Sequence, residues 1–235
     1  MIVKPIKTRI FKEGENLFDF IDDYFKGIPE KSVVVVTSKI VALSENRTAI
    51  IKNAKEKEKF IRQESDFALR TKYVWLTIKD GIVMSSAGID ESNADGKIIL
   101  LPKNSFKVAR ALHEYLKKKH GLKELGVLIV DSRTFPLRKG VLGVALGYAG
   151  FSGIKKYRGT EDIFGRKFKF SSVNVADSLA TAAVLAMGEG AEKQPLAIIT
   201  KASIKFCDKI HPNELRIDLK DDMYQPLFQR LFPKP

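Results

Sequence analysis

Ser32 to Thr37 holds four consecutive valines, and this run constrains the fold more than any other segment. Its length and β-branching predict a strand buried on both faces. Further apolar runs at Glu124–Val130, Val141–Ala149 and Gln194–Thr200 read as strands of the same core. The glycines within Val141–Ala149 mark either a close backbone approach or a bulge. Helices alternate with these strands. Leu17, Phe20, Ile21 and Tyr24 form one helical stripe over Leu17–Phe25, ended soon after by Pro29. Ala54–Leu69 reads as a charged surface helix. A third helix runs to His120, capped by Asn104 or Ser105 and stopped by Gly121. A fourth, opened by Asn174 or Asp177, runs through Met187. Tyr73–Ile78 and Ile82–Ser86 flank Lys79-Asp80-Gly81 as a hairpin. Lys97–Leu101 and Phe168–Val173 add two more strands. The class is therefore α+β with mixed sheets. There is no internal repeat or linker, and residues 1–200 read as one domain with 201–235 as an appended extension. The apolar residues of that extension (Met223, Tyr224, Leu227, Phe228, Leu231, Phe232) are expected to cover the chain's own core in preference to a partner subunit.

Three acidic, glycine-flanked segments carry the chemistry: Ala87-Gly88-Ile89-Asp90-Glu91-Ser92-Asn93, Val130-Asp131-Ser132 and Met187-Gly188-Glu189-Gly190. The first two follow strand-like runs and the third follows an alanine-rich helix. Carboxylates at the ends of regular elements are held firmly yet stay accessible, as a hard cation requires. If the three ends converge, they form a site for Mg²⁺ or Mn²⁺ and a phosphorylated ligand. Each segment also has a plainer reading: an Asx turn at Asp90, a cap at Asp131-Ser132, and a helix stop with a solvated carboxylate at Glu189. The cationic stretch Arg133–Gly140 and the following strand of small residues favour the functional reading of Asp131. Asp131→Asn is expected to abolish metal-dependent turnover and leave the fold intact. His113, His120 and His211 have no metal-ligand spacing, and Cys207 lacks a partner.

The formal charge is +13, and residues 103–169 hold 16 Lys and Arg against 5 Asp and Glu. Such a field suits a polyanion. No helix-turn-helix, zinc finger or aromatic RNP-like signature accompanies it, so a nucleotide is favoured over nucleic acid. A single cysteine leaves no intrachain disulfide or cysteine-rich zinc site. Without a signal-like amino terminus or an apolar run of about 18 residues, a soluble cytoplasmic protein is expected.

Taken in order, Lys12-Glu13-Gly14, Thr37-Ser38-Lys39-Ile40-Val41, Ala87-Gly88-Ile89-Asp90 with Ser92-Asn93, Asp131-Ser132, Gly165-Arg166, Val175-Ala176-Asp177 and Met187-Gly188-Glu189-Gly190 form a recognisable set. Over residues 1–200 the chain resembles the gamma-glutamyl ligase of the deazaflavin coenzyme F(420) pathway. The resemblance implies a two-lobed mixed α+β fold in an intertwined homodimer. It implies addition of L-glutamate to a carboxylate through an amide bond, with GTP and a divalent metal, by way of an acyl phosphate. By motif, Asp90, Asp131, Ser132 and Glu189 fall at the family's metal ligands. Ser38, Lys39, Asn93 and the stretch Met187, Gly188, Glu189, Gly190, Ala191, Glu192, Lys193 and Gln194 fall at its guanine-nucleotide contacts. Lys39, Arg138 and Lys139 are candidates for stabilising charge on the transferred phosphoryl group.

The chain also departs from the family pattern. Leu43 stands at a family lysine, Pro5-Ile6-Lys7-Thr8-Arg9 replaces a longer nucleotide loop, and Arg133-Thr134-Phe135-Pro136 replaces a Gly-Arg pairing. GTP and ATP both remain open as the nucleotide, and the deazaflavin precursor and a folate as the acceptor. A silent nucleotide- and metal-binding protein, or a nucleic-acid binder using residues 103–169, are the other classes.

Overall fold

The computed structural model of the chain describes residues 1–229. The first half of the chain forms β1 (Ile2–Ile6), α1 (Leu17–Tyr24), β2 (Ser32–Thr37), α2 (Ser38–Ser44), β3 (Thr48–Ala49), α3 (Ala54–Gln63), β4 (Phe67–Arg70), β5 (Trp75–Lys79), β6 (Ile82–Ser85) and β7 (Ile98–Ile99). The second half forms α4 (Ser105–His120), β8 (Leu125–Thr134), β9 (Val141–Ala149), β10 (Ile154–Lys156), β11 (Ser172–Asn174), α5 (Val175–Met187), β12 (Leu196–Thr200) and α6 (Gln225–Gln229). Five strands make the central sheet, in the order β1-β12-β2-β8-β9. Only β2 and β8 are parallel, so the sheet is mixed and the class is α+β. None of the described helices is long and apolar enough to cross a membrane.

The valine run sits at the middle of this sheet, and its two-residue period serves two cores. Val34 and Val36 pack with α1, α2 and α4 on one face. Val33 and Val35 pack with α5 on the other. Residues 202–215 contribute Ala202, Ile204, Phe206, Ile210 and Leu215 to this second core. The expected cover by the later part of the extension is not seen: Met223, Tyr224 and Leu227 are exposed and Phe228 is half-buried, while Leu231 and Phe232 lie outside the described residues.

Both readings of the β9 glycines hold. A register shift opposite Ile129 and Val130 leaves Leu146 as an extra residue, which turns the strand's faces over. Gly147 therefore meets α4, where an added Cβ would lie 2.4 Å from the Ser105 carbonyl carbon. Gly143 meets α5, with its Cβ position 2.3 Å from the Ala180 oxygen. Helices can approach the two faces so closely only because these residues lack side chains.

A smaller lobe interrupts the connection between β2 and β8. It contains α3, the β3–β7 pair and the antiparallel sheet β4-β5-β6. Glu64 ties it together, pairing with Arg47 at 2.6 Å and Lys79 at 2.8 Å.

Several boundaries differ from the sequence expectation. The helix beginning at Ala54 stops at Gln63, not Leu69, because residues 67–70 pair with β5 and Glu64 is drawn to its two cations. The strand expected to end at Asp131 continues to Thr134, because β9 remains paired with it that far. Of Phe168–Val173, only residues 172–173 enter a ladder, opposite β10, and Phe170 is exposed. The short α2 and the amino-terminal β1 had no periodic signature.

Candidate functional site

Register explains why distant segments meet. Thr37 ends β2 directly opposite Val130 of the parallel β8, so α2 begins beside Asp131, which β8 carries past the end of β2. The Thr37 N–H donates to the Pro195 carbonyl at 3.0 Å, an ordinary hydrogen-bond distance, which brings the chain entering β12 to the same place. The carboxyl ends of parallel strands in open sheets are where ligands commonly bind. Ser38 is buried in the first turn of α2, and Lys39 projects from the next position.

Asp90 is carried by the smaller lobe. Its backbone exchanges two hydrogen bonds with Ile99, at 2.9 and 2.8 Å. Just before it, Ser86, Ala87 and Gly88 take φ values of +49°, +57° and +71°. Positive φ at the two non-glycine residues is costly, and such strain is held only where the surroundings impose it. Thr77, fully buried, accepts from the Ala87 N–H at 2.8 Å while donating to the Met84 carbonyl. Gly88 must be glycine on two counts: its positive φ, and Leu101 at 2.8 Å from any Cβ.

Lys39 docks this loop onto the main domain. Its ammonium lies 2.8 Å from Asp90 Oδ2 and donates to the Ser92 carbonyl (2.8 Å) and hydroxyl (3.1 Å). Burial raises the Asp90 carboxyl, but Lys39 and the Ser92 N–H outweigh it and hold the group below its usual range.

On β8, Asp131 Oδ1 accepts from the Ser132 N–H at 2.9 Å, and Oδ2 pairs with Arg133 Nη1 at 2.5 Å. Ser132 points the other way and donates to Glu189 Oε2 at 3.1 Å. Burial and then the nearby charges of Asp131 and Asp90 push the Glu189 carboxyl up, against the Ser132 hydrogen bond and Lys39. The three acidic segments therefore converge, and Glu189 senses both other carboxylates.

Beyond Glu189 the loop folds on itself. The Gly190 N–H donates to Glu192 Oε2 at 2.8 Å, and Gln194 donates to the Met187 carbonyl at 3.2 Å. Asn93 donates to the Gly190 carbonyl at 3.2 Å, joining the first acidic loop to the third. Thr8, in the loop after β1, donates its N–H to the Lys193 carbonyl. Ala191 is exposed. Arg138 and Lys139 occupy the exposed turn between β8 and β9, and among the described residues no ion pair joins them to the carboxylates. Leu43 packs at the margin of the core.

Asp90, Asp131, Ser132 and Glu189 present only oxygen donors, the set that hard divalent cations select. As placed, no three carboxylate, imidazole or thiol groups among the described residues are grouped to hold a metal. Lys39 and Arg133 neutralise two of the carboxylates instead. Glu189, raised by burial and then by its acidic neighbours, is the group a cation would relieve. The donor chemistry thus fits a divalent ion, provided the internal cations give way. Two clefts of about 490 and 560 Å³ lie elsewhere, beside α4 and beside residues 200–206, and neither touches these donors.

Sequence reasoning missed the ion pair of Arg133, the lysine-binding role of Ser92 and the internal carboxylate of Glu192. The first was readable in principle, because residues 131 and 133 share a face once the strand is extended.

Comparison with known proteins gives the class first: the chain is an enzyme of the ligase type. More particularly, it belongs to the F420-0:Gamma-glutamyl ligase family, whose sequence model matches residues 5–201. It is 34% identical over 215 residues to the Coenzyme F420:L-glutamate ligase of Methanococcus maripaludis, covering 83% of this chain and 85% of that one. The enzyme of the same name from Methanocaldococcus jannaschii is 34% identical over 234 residues, covering 89% and 93%. That from Methanothermobacter thermautotrophicus reaches 42% over 122 residues, covering 52% and 48%.

Proposed function

We propose that this chain joins the amine of L-glutamate to a carboxylate of a deazaflavin coenzyme, with GTP as phosphoryl donor and Mg²⁺ or Mn²⁺ held by Asp90, Asp131, Ser132 and Glu189. The observation that carries the reading is the convergence of those four residues with Lys39 where β2 ends and β8 runs on beside it. A carboxylate is a poor acyl donor. One of its oxygens therefore takes the γ-phosphoryl group as the bond to the nucleoside diphosphate breaks. The glutamate nitrogen then attacks the acyl carbon, loses a proton, and inorganic phosphate departs.

The divalent ion would neutralise charge on the phosphates, which is the main demand of phosphoryl transfer. The chain's own groups position the rest. Lys39 offers a cation at the mouth of the site, already oriented by Ser92. Asn93 and Gly190 join the two loops that must close on the nucleotide. Glu192 occupies a glycine-loop N–H that a phosphate oxygen could take in its place.

A homodimer is part of the proposal. Leu142 on the edge strand β9, Leu185 on α5 (85% exposed) and Ile163 and Phe164 beyond β10 leave apolar surface of the sort that a second subunit covers.

Phosphate release from GTP tests the reading. It should require L-glutamate and the deazaflavin acceptor together, and Asp90→Asn or Glu189→Gln should lower it by at least about a hundredfold, as loss of a principal electrostatic contact does. Wild-type rates in both variants would place the chemistry elsewhere.

A further inference from the structure

Arg133 is a charged group that the ligase reading leaves without a role. It is only 7% exposed. Its Nη1 pairs with Asp131 Oδ2 at 2.5 Å and donates to the Ser132 carbonyl at 2.7 Å. Nε and Nη2 are also buried, and neither has a hydrogen-bond partner. Nη2 faces the left-handed turn, 3.0 Å from where a Cβ on Gly88 would stand. Lys39 differs: its ammonium meets Asp90 and both oxygens of Ser92. An arginine kept for packing alone would normally satisfy its fork, because unpaired donors in the interior are costly. Arg133 satisfies only the arm that faces Asp131.

We infer that Arg133 is a built-in counter-cation to Asp131, with which a divalent metal must compete, so that metal loads at Asp131 weakly alone and more tightly together with a bound polyphosphate. This rests on the proposed metal site. A guanidinium beside a metal ligand repels a dication and occupies one of the ligand's oxygens. A triphosphate reverses the balance. Its negative charge offsets the guanidinium across the short distance between them. Metal and nucleotide then strengthen each other by one common factor, as linkage requires.

Binding of Mn²⁺ alone, followed by electron paramagnetic resonance, tests this without turnover. Wild type, Arg133→Met and Arg133→Lys are titrated with and without a non-hydrolysable GTP analogue. Arg133→Met should bind Mn²⁺ alone roughly tenfold more tightly than wild type, the order expected for removing a charge at this range. The analogue's tightening of Mn²⁺ should shrink in that variant. Arg133→Lys, which keeps the charge, should follow wild type. Arg133→Gln repeats the neutral test should the Met variant fail to fold. Equal Mn²⁺ affinity in neutral variants and wild type, or an unchanged effect of the analogue, would overturn the role of Arg133. No Mn²⁺ binding by any of these proteins, with or without the analogue, would remove the metal site itself and this inference with it.

Discussion

Asp131→Asn should cost the fold about as much as it costs the chemistry. The Arg133 side chain is 7% exposed and that of Asp131 23%, so the pair is largely out of water. Removing the carboxylate charge leaves the guanidinium buried with Nε and Nη2 still unpaired. Breaking a buried pair from one side typically costs about 3–5 kcal/mol. The Asn oxygen can still accept one hydrogen bond, which places the expected loss near the lower end, about 3 kcal/mol. For a chain of this size each kcal/mol is worth about 2–4 °C, so the melting temperature should fall by roughly 6–12 °C. Arg133→Met should cost less, because Asp131 lies near enough to the sheet edge to regain water. The double variant should recover part of the Asp131→Asn loss, with a coupling of about 1.5 kcal/mol or more. Urea denaturation followed by circular dichroism gives all four stabilities. A single Asp131→Asn variant melting with wild type, or a double variant weaker than Asp131→Asn alone, would refute the reasoning. The sequence alone led to the opposite expectation, an intact fold.

Three other expectations rest on particular contacts. The Glu64 carboxyl is raised by burial but lowered further by Lys79 and Arg47, and ends below its usual range. Its contribution is present above the unfolded value of about 4.3 and lost as pH falls through the lower folded value. Glu64→Gln should therefore melt with a flatter dependence on pH than wild type between neutral and acid conditions, and parallel curves would contradict this. Gly147→Ala should destabilise by about 1–3 kcal/mol through backbone overlap with α4, whereas Gly27→Ala, where a Cβ meets nothing within 4 Å, should be neutral or slightly favourable. Similar denaturation midpoints for the two would sink the close-approach argument. Asn104 accepts from the Lys107 N–H at 2.9 Å, so Asn104→Ala should cost about 0.5–2 kcal/mol, measured by the same denaturation, and Asn104→Asp should restore most of it.

The central strands were legible because a valine run, flanked by turn signals, has few other fates. Asn104 and Asn174 were legible as caps, since each supplies a side-chain oxygen to an N–H three residues on. Asp80-Gly81 was legible as a hairpin turn, and both residues take positive φ as that turn requires. What escaped depends on pairing across the chain. Asp131 reads as a strand end until β9 extends the ladder past it, and Arg133 then falls on the same face as its partner. Residues 38–44 follow a buried strand without a break, and only the three-dimensional turn at Thr37 separates helix from strand. The convergence of Asp90, Asp131 and Glu189 was likewise conditional in the sequence. It is fixed by the registers of β2 with β8 and of β12 with β2, and by the docking of the Asp90 loop on Lys39, none of which a local pattern encodes.

The most direct test of the account is nucleotide-dependent glutamylation read by mass spectrometry. Purified protein would receive Mg²⁺ or Mn²⁺, GTP or ATP, L-glutamate, and either the deazaflavin precursor or a reduced folate. A deazaflavin product heavier by one glutamyl unit is expected, formed with GTP and lost in Glu189→Gln. A glutamylated folate alone, or no product from any combination despite metal-dependent nucleotide binding, would contradict it.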